Sequence, residues 1–334
     1  MTCIRVAALL LCIILAESGA GGEEDDRGFL DRPPVFIDNE YDFPLTGMGA
    51  EIPVAGETIP AVDSTDFESD HANQGGVNVQ PDLSTKFTTT RLGALRGFNG
   101  NWAAMLTIPI QRTRIRGRIG GEDATSTDTA LGDIAMLAKK MLWNRGDNEK
   151  LVATFGIELP TGKDDAVFDQ SNAVTNAYYT GNTRRIPLSW QPGSGTWDGY
   201  LALAYSKAHK RLSYEGLIAA KLNSRGDEDV KIGNTFIAAV AGTYGIVRQA
   251  AVSLSAVMRT QGSDSYPNAP SPGIDQTALA GTTVHGTILY LNPSIRLDIA
   301  KKATVGFGWR YPVIQPDDGL VPDVQGFIIF YPDM

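Results

Sequence analysis

Eleven segments of this chain alternate apolar and polar residues with a period of two, and the stretches between them are short and long by turns. The segments lie near 77–92, 99–112, 129–143, 150–160, 197–206, 210–222, 234–246, 249–259, 283–299, 303–312 and 323–331. The intervening stretches run short (93–98), long (113–128), short (144–149), long (161–196), short (207–209), long (223–233), short (247–248), long (260–282), short (300–302) and long (313–322). An up-and-down antiparallel barrel produces this order, because tight turns gather at one rim and longer loops at the other. Alternation alone would fit a half-buried soluble sheet equally well. Strict alternation of connection length would not, because a Greek-key sandwich has no reason to make it.

The apolar faces carry a second signal. Trp102, Ala104, Leu106, Ile108 and Ile110 share one face, as do Leu151, Ala153, Phe155, Ile157 and Leu159. Aromatics mark the ends of others: Trp197 and Tyr205 around Leu201 and Leu203, Phe236 and Tyr244 around Val240, and Trp309 and Tyr311 beyond Val305 and Phe307. Aromatic girdles around an apolar band about 25 Å tall are what membrane interfaces favour on a barrel. Past the first twenty residues no apolar stretch is long enough to cross a membrane as a helix, and mean hydropathy is only -0.12. A barrel strand also averages low, since half of its residues face the lumen.

The fold class expected is all-β, a transmembrane barrel of about twelve antiparallel strands. The first clear segment precedes a short connection and so runs towards the periplasm. An N-terminus on that side requires one further, upward strand within 35–76, which brings the number to an even twelve. Glu51-Ile52-Pro53-Val54 lies in that window, but its prolines fit a strand poorly. Residues 21–75 otherwise read as an acidic, poorly structured lead, with Glu23-Glu24-Asp25-Asp26 as a solvated tail. This lead is long enough to fold inward as a plug. The barrel itself is expected over 76–334.

Residues 1–20 read as a cleavable secretory signal: Arg5, an apolar run from Val6 to Ala16, then Ser18-Gly19-Ala20. Both cysteines, Cys3 and Cys12, fall inside it, so the mature chain is expected to hold no disulfide, thiol chemistry or thiolate-bound metal. Leu11 stands where a lipoprotein signal wants a small residue. The expected location is the bacterial outer membrane. A net charge of -9 argues against nucleic-acid binding. The histidines are His71 in the lead, His209 in a short turn and His285 on a strand, and no nucleophile elbow or Ser–His pairing accompanies them. Neither catalysis nor a cofactor nor a metal site is expected.

Arg112, Arg114, Arg116 and Arg118 recur at a spacing of two. Parity from Trp102 to Ile110 places them on the outward face just above the apolar band, where phosphorylated lipopolysaccharide head groups would meet them. A one-residue bulge would turn them into the lumen as an anion-attracting ladder. As a third reading they form a solvated basic loop tip. The opposite parity gathers Glu158, Glu215, Lys221, Arg259, Arg296, Asp298 and Arg310 as pore-lining candidates, since charges on spanning strands belong inward. They could form a selective constriction, a structural salt-bridge network, or both. Asp133, after Gly132, reads as a turn cap, Trp197 as an interfacial anchor, and Gly193-Ser194-Gly195 as a turn with no helix to aim at a phosphate.

Two passages carry a family resemblance. Ala130-Leu131-Gly132-Asp133-Ile134 with Ala138-Lys139, followed by Gly156-Ile157-Glu158-Leu159-Pro160-Thr161-Gly162, resembles a G-D … A-K and L-P-T-G signature. Gly193-Ser194-Gly195-Thr196-Trp197-Asp198 and Leu203-Ala204-Tyr205-Ser206 extend the match. The set is similar to the outer-membrane family named for a MetA pathway of phenol degradation, often called simply transporters. The resemblance implies one barrel of about twelve strands passing small, aromatic or otherwise hydrophobic molecules. The chain departs from a common barrel habit by ending Tyr331-Pro332-Asp333-Met334 rather than on Phe, which bears on insertion efficiency and not on class. The function expected is a porin-like channel for passive or facilitated uptake. A non-conducting structural barrel and a soluble periplasmic β-protein are the alternatives. Expected partners are outer-membrane lipid, lipopolysaccharide and small solutes, with the oligomeric state left open.

Overall fold

A computed structural model of the chain describes residues 49–50, 52–69, 71–74, 77–79, 83–99, 101–119, 122–145, 148–167, 191–226, 231–247, 249–263, 265, 286–299, 303–315, 319–321 and 323–332. Its strands are β1 (Thr58–Ser69), β2 (His71–Gln74), β3 (Val77–Val79), β4 (Leu83–Asn99), β5 (Trp102–Ile119), β6 (Glu122–Leu131), β7 (Ile134–Asn144) and β8 (Glu149–Leu159). They continue with β9 (Asp198–His209), β10 (Leu212–Leu222), β11 (Thr235–Val247), β12 (Ala250–Gln261), β13 (Gly286–Ile299), β14 (Ala303–Ile314), β15 (Gly319–Val321) and β16 (Gln325–Pro332). No helix of the described residues is long and apolar enough to cross a membrane.

Twelve strands close into one antiparallel barrel in the order β1, β4, β5, β7, β8, β9, β10, β11, β12, β13, β14, β16, and β16 pairs back to β1. Closure pairs both edges of the wall across its height, the way a sheet can expose its flank to lipid. The inferred upward strand is β1, and Ile52–Val54 lies outside it. The wall of the barrel therefore begins at Thr58, inside the stretch expected to be a poorly structured lead.

One connection departs from the sequence expectation. The long stretch at 113–128 is mostly strand: β5 continues to Ile119 and β6 starts at Glu122. The upper part of β5 pairs with β6 and its lower part with β7, so β6 and β7 form one wall strand interrupted at Gly132-Asp133. Thr and Arg at strand-compatible spacing sustain the ladder where a loop had been expected. At the same rim, β15, β2 and β3 form a small separate sheet. The strand ends joined by the short connections, Asn99 and Trp102, Asn144 and Glu149, His209 and Leu212, Val247 and Ala250, and Ile299 and Ala303, all lie at the opposite rim.

The outward faces are those expected. On β5, even positions face out and odd ones, such as Ala103, Met105 and Thr107, are buried. Trp102, Trp197, Tyr205, Phe236, Tyr244, Trp309 and Tyr311 all lie on outward positions. At the short-turn rim Trp102 meets the edge of Phe155 at 6.0 Å, and Lys140 Nζ sits 4.6 Å over the Trp102 ring. Trp143 stacks on Tyr205 at 6.4 Å, with Arg145 4.8 Å over Trp143. Long cations reaching past aromatic rings towards water are typical of an interface.

Candidate functional site in the barrel lumen

Charged and apolar side chains share the inward face of the barrel. All seven pore-lining candidates fall on inward positions, and most are fully enclosed: Arg310 is 0% exposed, Lys221 1% and Glu215 2%. Lys221 Nζ donates to Glu158 Oε1 at 2.7 Å and lies 3.4 Å from Asp198 Oδ2. The Tyr200 hydroxyl donates to Glu158, and its ring lies 5.6 Å from the Lys221 ammonium. Thr196 and the Ser224 amide satisfy the other Asp198 oxygen at 2.8 and 3.0 Å. One cation thus serves two carboxylates, and the hydrogen bonds from Tyr200, Thr196 and Ser224 offset the burial of the second negative charge.

The other candidates lie apart from this cluster along the wall. Arg310 stacks over Tyr290 at 4.9 Å, Arg259 donates to Gln261, and Asp298 accepts from Thr304. Arg296 is inward and buried on β13. Sequence reading missed a second enclosed pair, Arg91–Asp63 at 2.9 Å between β4 and β1. It also missed Lys139, buried on the inward face of β7. Both obey the parity rule and are visible in retrospect as charges on inward strand positions.

The inward face also carries an apolar set beyond the charged candidates. Leu137, Val152, Leu217, Ile237, Val257 and Ile288 point inward from β7, β8, β10, β11, β12 and β13 and form one apolar cluster. The signal was present in runs such as Phe236-Ile237-Ala238-Ala239-Val240-Ala241, which are apolar on both faces. Into this cluster comes the N-terminal segment from the short-turn rim. Ala50 is 2% exposed, Ile52 packs on the cluster, and the Ala50 amide donates to Glu215 Oε1 at 2.9 Å. Gly49 lies so close that a Cβ there would stand 2.8 Å from the same carboxylate oxygen.

From the other side comes the connection between β8 and β9. Residues 191–194 and 196 are buried, against the break between β6 and β7. Asp133 Oδ2 accepts from the Ser194 amide at 2.6 Å and its hydroxyl at 2.7 Å, while Oδ1 accepts from the Gly162 amide at 2.8 Å. Three glycines meet backbone to backbone. A Cβ on Gly162 would lie 2.6 Å from Gly193 Cα and 2.7 Å from the Gly132 carbonyl carbon. The motif stretches at Gly132-Asp133, Gly162 and Gly193-Ser194 therefore converge on one clamp, in which Asp133 holds a distant loop rather than merely capping its own turn.

The four-arginine run lies outside the lumen. Arg112, Arg114 and Arg116 are exposed on the outward face of β5, in unbroken register with β4 and β6. Neither the inward ladder nor the loop-tip reading fits these three, since the bulge and the loop are both absent there. Arg118 continues the strand opposite Asp123, and its side chain lies outside the described residues. Of the histidines, His71 begins β2 and His209 is the exposed last residue of β9, while His285 lies outside the described residues.

A closed antiparallel barrel with an apolar, aromatic-edged exterior and inward charges defines the class of outer-membrane β-barrels. Within that class the chain belongs to the family described as "Putative MetA-pathway of phenol degradation", whose model matches residues 67–313. Its fold is similar to that of the COG4313 outer membrane channel from Pseudomonas putida F1, at 14% identity and a TM-score of 0.64, covering 86% of this chain and 97% of that one. The translocator domain of the autotransporter NalP from Neisseria meningitidis has 10% identity and a TM-score of 0.47, with 85% and 90% covered. No curated protein matches the chain.

Proposed function

We propose that this protein is a bacterial outer-membrane channel, exported with a cleavable signal, for passive or facilitated passage of small aromatic or otherwise hydrophobic molecules. The observation carrying this reading is the inward apolar cluster around Leu217, Ile237 and Val257. Apolar surface inside a barrel offers a hydrophobic solute an environment that water-filled porins lack. The hydroxyls of Thr107, Thr154 and Thr235 are enclosed on inward positions with no hydrogen-bond partner among the described residues, polar groups that a solute displacing the packing around them would meet. With Ala50 and Ile52 seated in the cluster, the N-terminal segment acts as a plug at the periplasmic rim.

Single-channel recording in planar bilayers tests this reading, using the full mature chain and a chain lacking residues 21–53. That deletion leaves β1 intact, whereas removing 21–70 would take a strand from the wall. Discrete openings that grow on truncation support the channel and its plug. Silence from both folded barrels would sink the reading.

The enclosed ion pairs favour a second reading, a non-conducting structural barrel. Lys221 with its two carboxylates and Arg91 with Asp63 fill lumen that an open pore would leave to water. The same recording separates the two.

A further inference from the structure

We propose that the outward face of β4, β5 and β6 is a binding site for the phosphate groups of lipopolysaccharide in the outer leaflet. At about 3.3 Å per residue and a strand tilt near 40°, Trp102 to Ile110 rises about 20 Å along the barrel axis. Arg112 stands two residues further, at the upper margin of an apolar band about 25 Å tall, and Arg114 and Arg116 follow on the same face. An outward arginine is costly at the midplane and nearly free at the interface, so this height is where three in a row can stand.

The flanking strands set Ser84, Thr125 and Thr129 beside the arginines at matching register. Arg112 lies opposite Thr88 and Thr129, Arg114 opposite Lys86 and Thr127, and Arg116 opposite Ser84 and Thr125. The described acidic side chains on this face are held by Lys86, which pairs with Glu68 at 3.1 Å and lies 3.9 Å from Asp66. Asp66 also accepts from Thr88 at 2.6 Å. No carboxylate among the described residues pairs with Arg112, Arg114 or Arg116. On a chain of net charge -9, three exposed guanidiniums beside a row of hydroxyls form a local surface of donors. Guanidinium matches phosphate bidentately, and the anionic groups at this height outside the barrel are those of the outer-leaflet glycolipid.

The test is native mass spectrometry of the detergent-purified mature chain with added phosphorylated, deep-rough lipopolysaccharide. The bound fraction is expected to fall at least tenfold in the Arg112→Gln/Arg114→Gln/Arg116→Gln variant, and as far for wild type when the glycolipid has been dephosphorylated. Arg→Lys at all three positions should retain part of the binding, because charge survives and the planar fork does not. Equal binding by wild type and the glutamine variant overturns the proposal. So does full competition by phosphatidylglycerol vesicles or by inorganic phosphate, which would assign the patch to anionic lipid in general or to free anion. Heat-modifiable migration verifies folding of each variant, and Arg114→Gln alone serves if the triple variant fails. Unitary conductance should be unchanged in these variants, so this proposal and the channel reading stand or fall separately.

Discussion

At the residue scale, Asp133 and Lys221 carry the most. Asp133 accepts three hydrogen bonds from a loop far away in sequence, and replacing it with Ala strands those donors in a buried place. The expected cost is about 3–5 kcal/mol, seen as a lower urea midpoint of the barrel in detergent. Asn should cost less, since it keeps one accepting oxygen. Lys221→Met leaves Glu158 and Asp198 without their shared cation and should also cost about 3–5 kcal/mol. Adding Glu158→Gln should recover more than half of that loss, by the same unfolding measurement. If Lys221→Met proves neutral, the cluster does not hold the wall.

At the element scale, the interruption between β6 and β7 shapes the lumen. Gly132 sits there because a Cβ would stand 2.7 Å from the Pro192 carbonyl oxygen. Gly132→Val should therefore push the connection between β8 and β9 away from the wall. Limited proteolysis of intact cells should then cut within 160–197 at least several times faster than in wild type, with the barrel core still protected. An unchanged cleavage rate would mean that the loop is held by contacts other than the glycine stack. Lengths of elements were partly legible in the sequence. The alternation from Trp102 to Ile110 fixed the face and register of β5, but its extension to Ile119 was hidden, because arginines and glycine at 112–118 read equally well as a loop. Pairing with β6 on one side and β4 on the other resolves that ambiguity, and pairing is a property of three strands together.

At the scale of the whole molecule, two segments reach the lumen from opposite rims: residues 49–50 and 52–53 from the short turns and 191–196 from the long loops. Hydrophobic solute should compete with the first of these for the apolar cluster. Partition of a small environment-sensitive hydrophobic dye into the detergent-solubilised barrel should thus rise severalfold when residues 21–53 are removed. No change in dye binding would mean that the cluster is closed by its own side chains.

The sequence by itself determined the class, the strand number and which residues face lipid. Those follow from period-two alternation and connection length, which are local quantities that a single strand records. It also determined that Glu158, Lys221 and Arg310 point inward, because a charge facing lipid is penalised wherever its partners lie. Only the tertiary structure decided what those charges meet, that inward apolar side chains gather into one cluster, and that Gly132, Gly162 and Gly193 close on one another under Asp133. Each of these joins residues from non-adjacent strands or loops. Barrel closure and stagger decide which of them share a height, and no local pattern in the chain encodes that height.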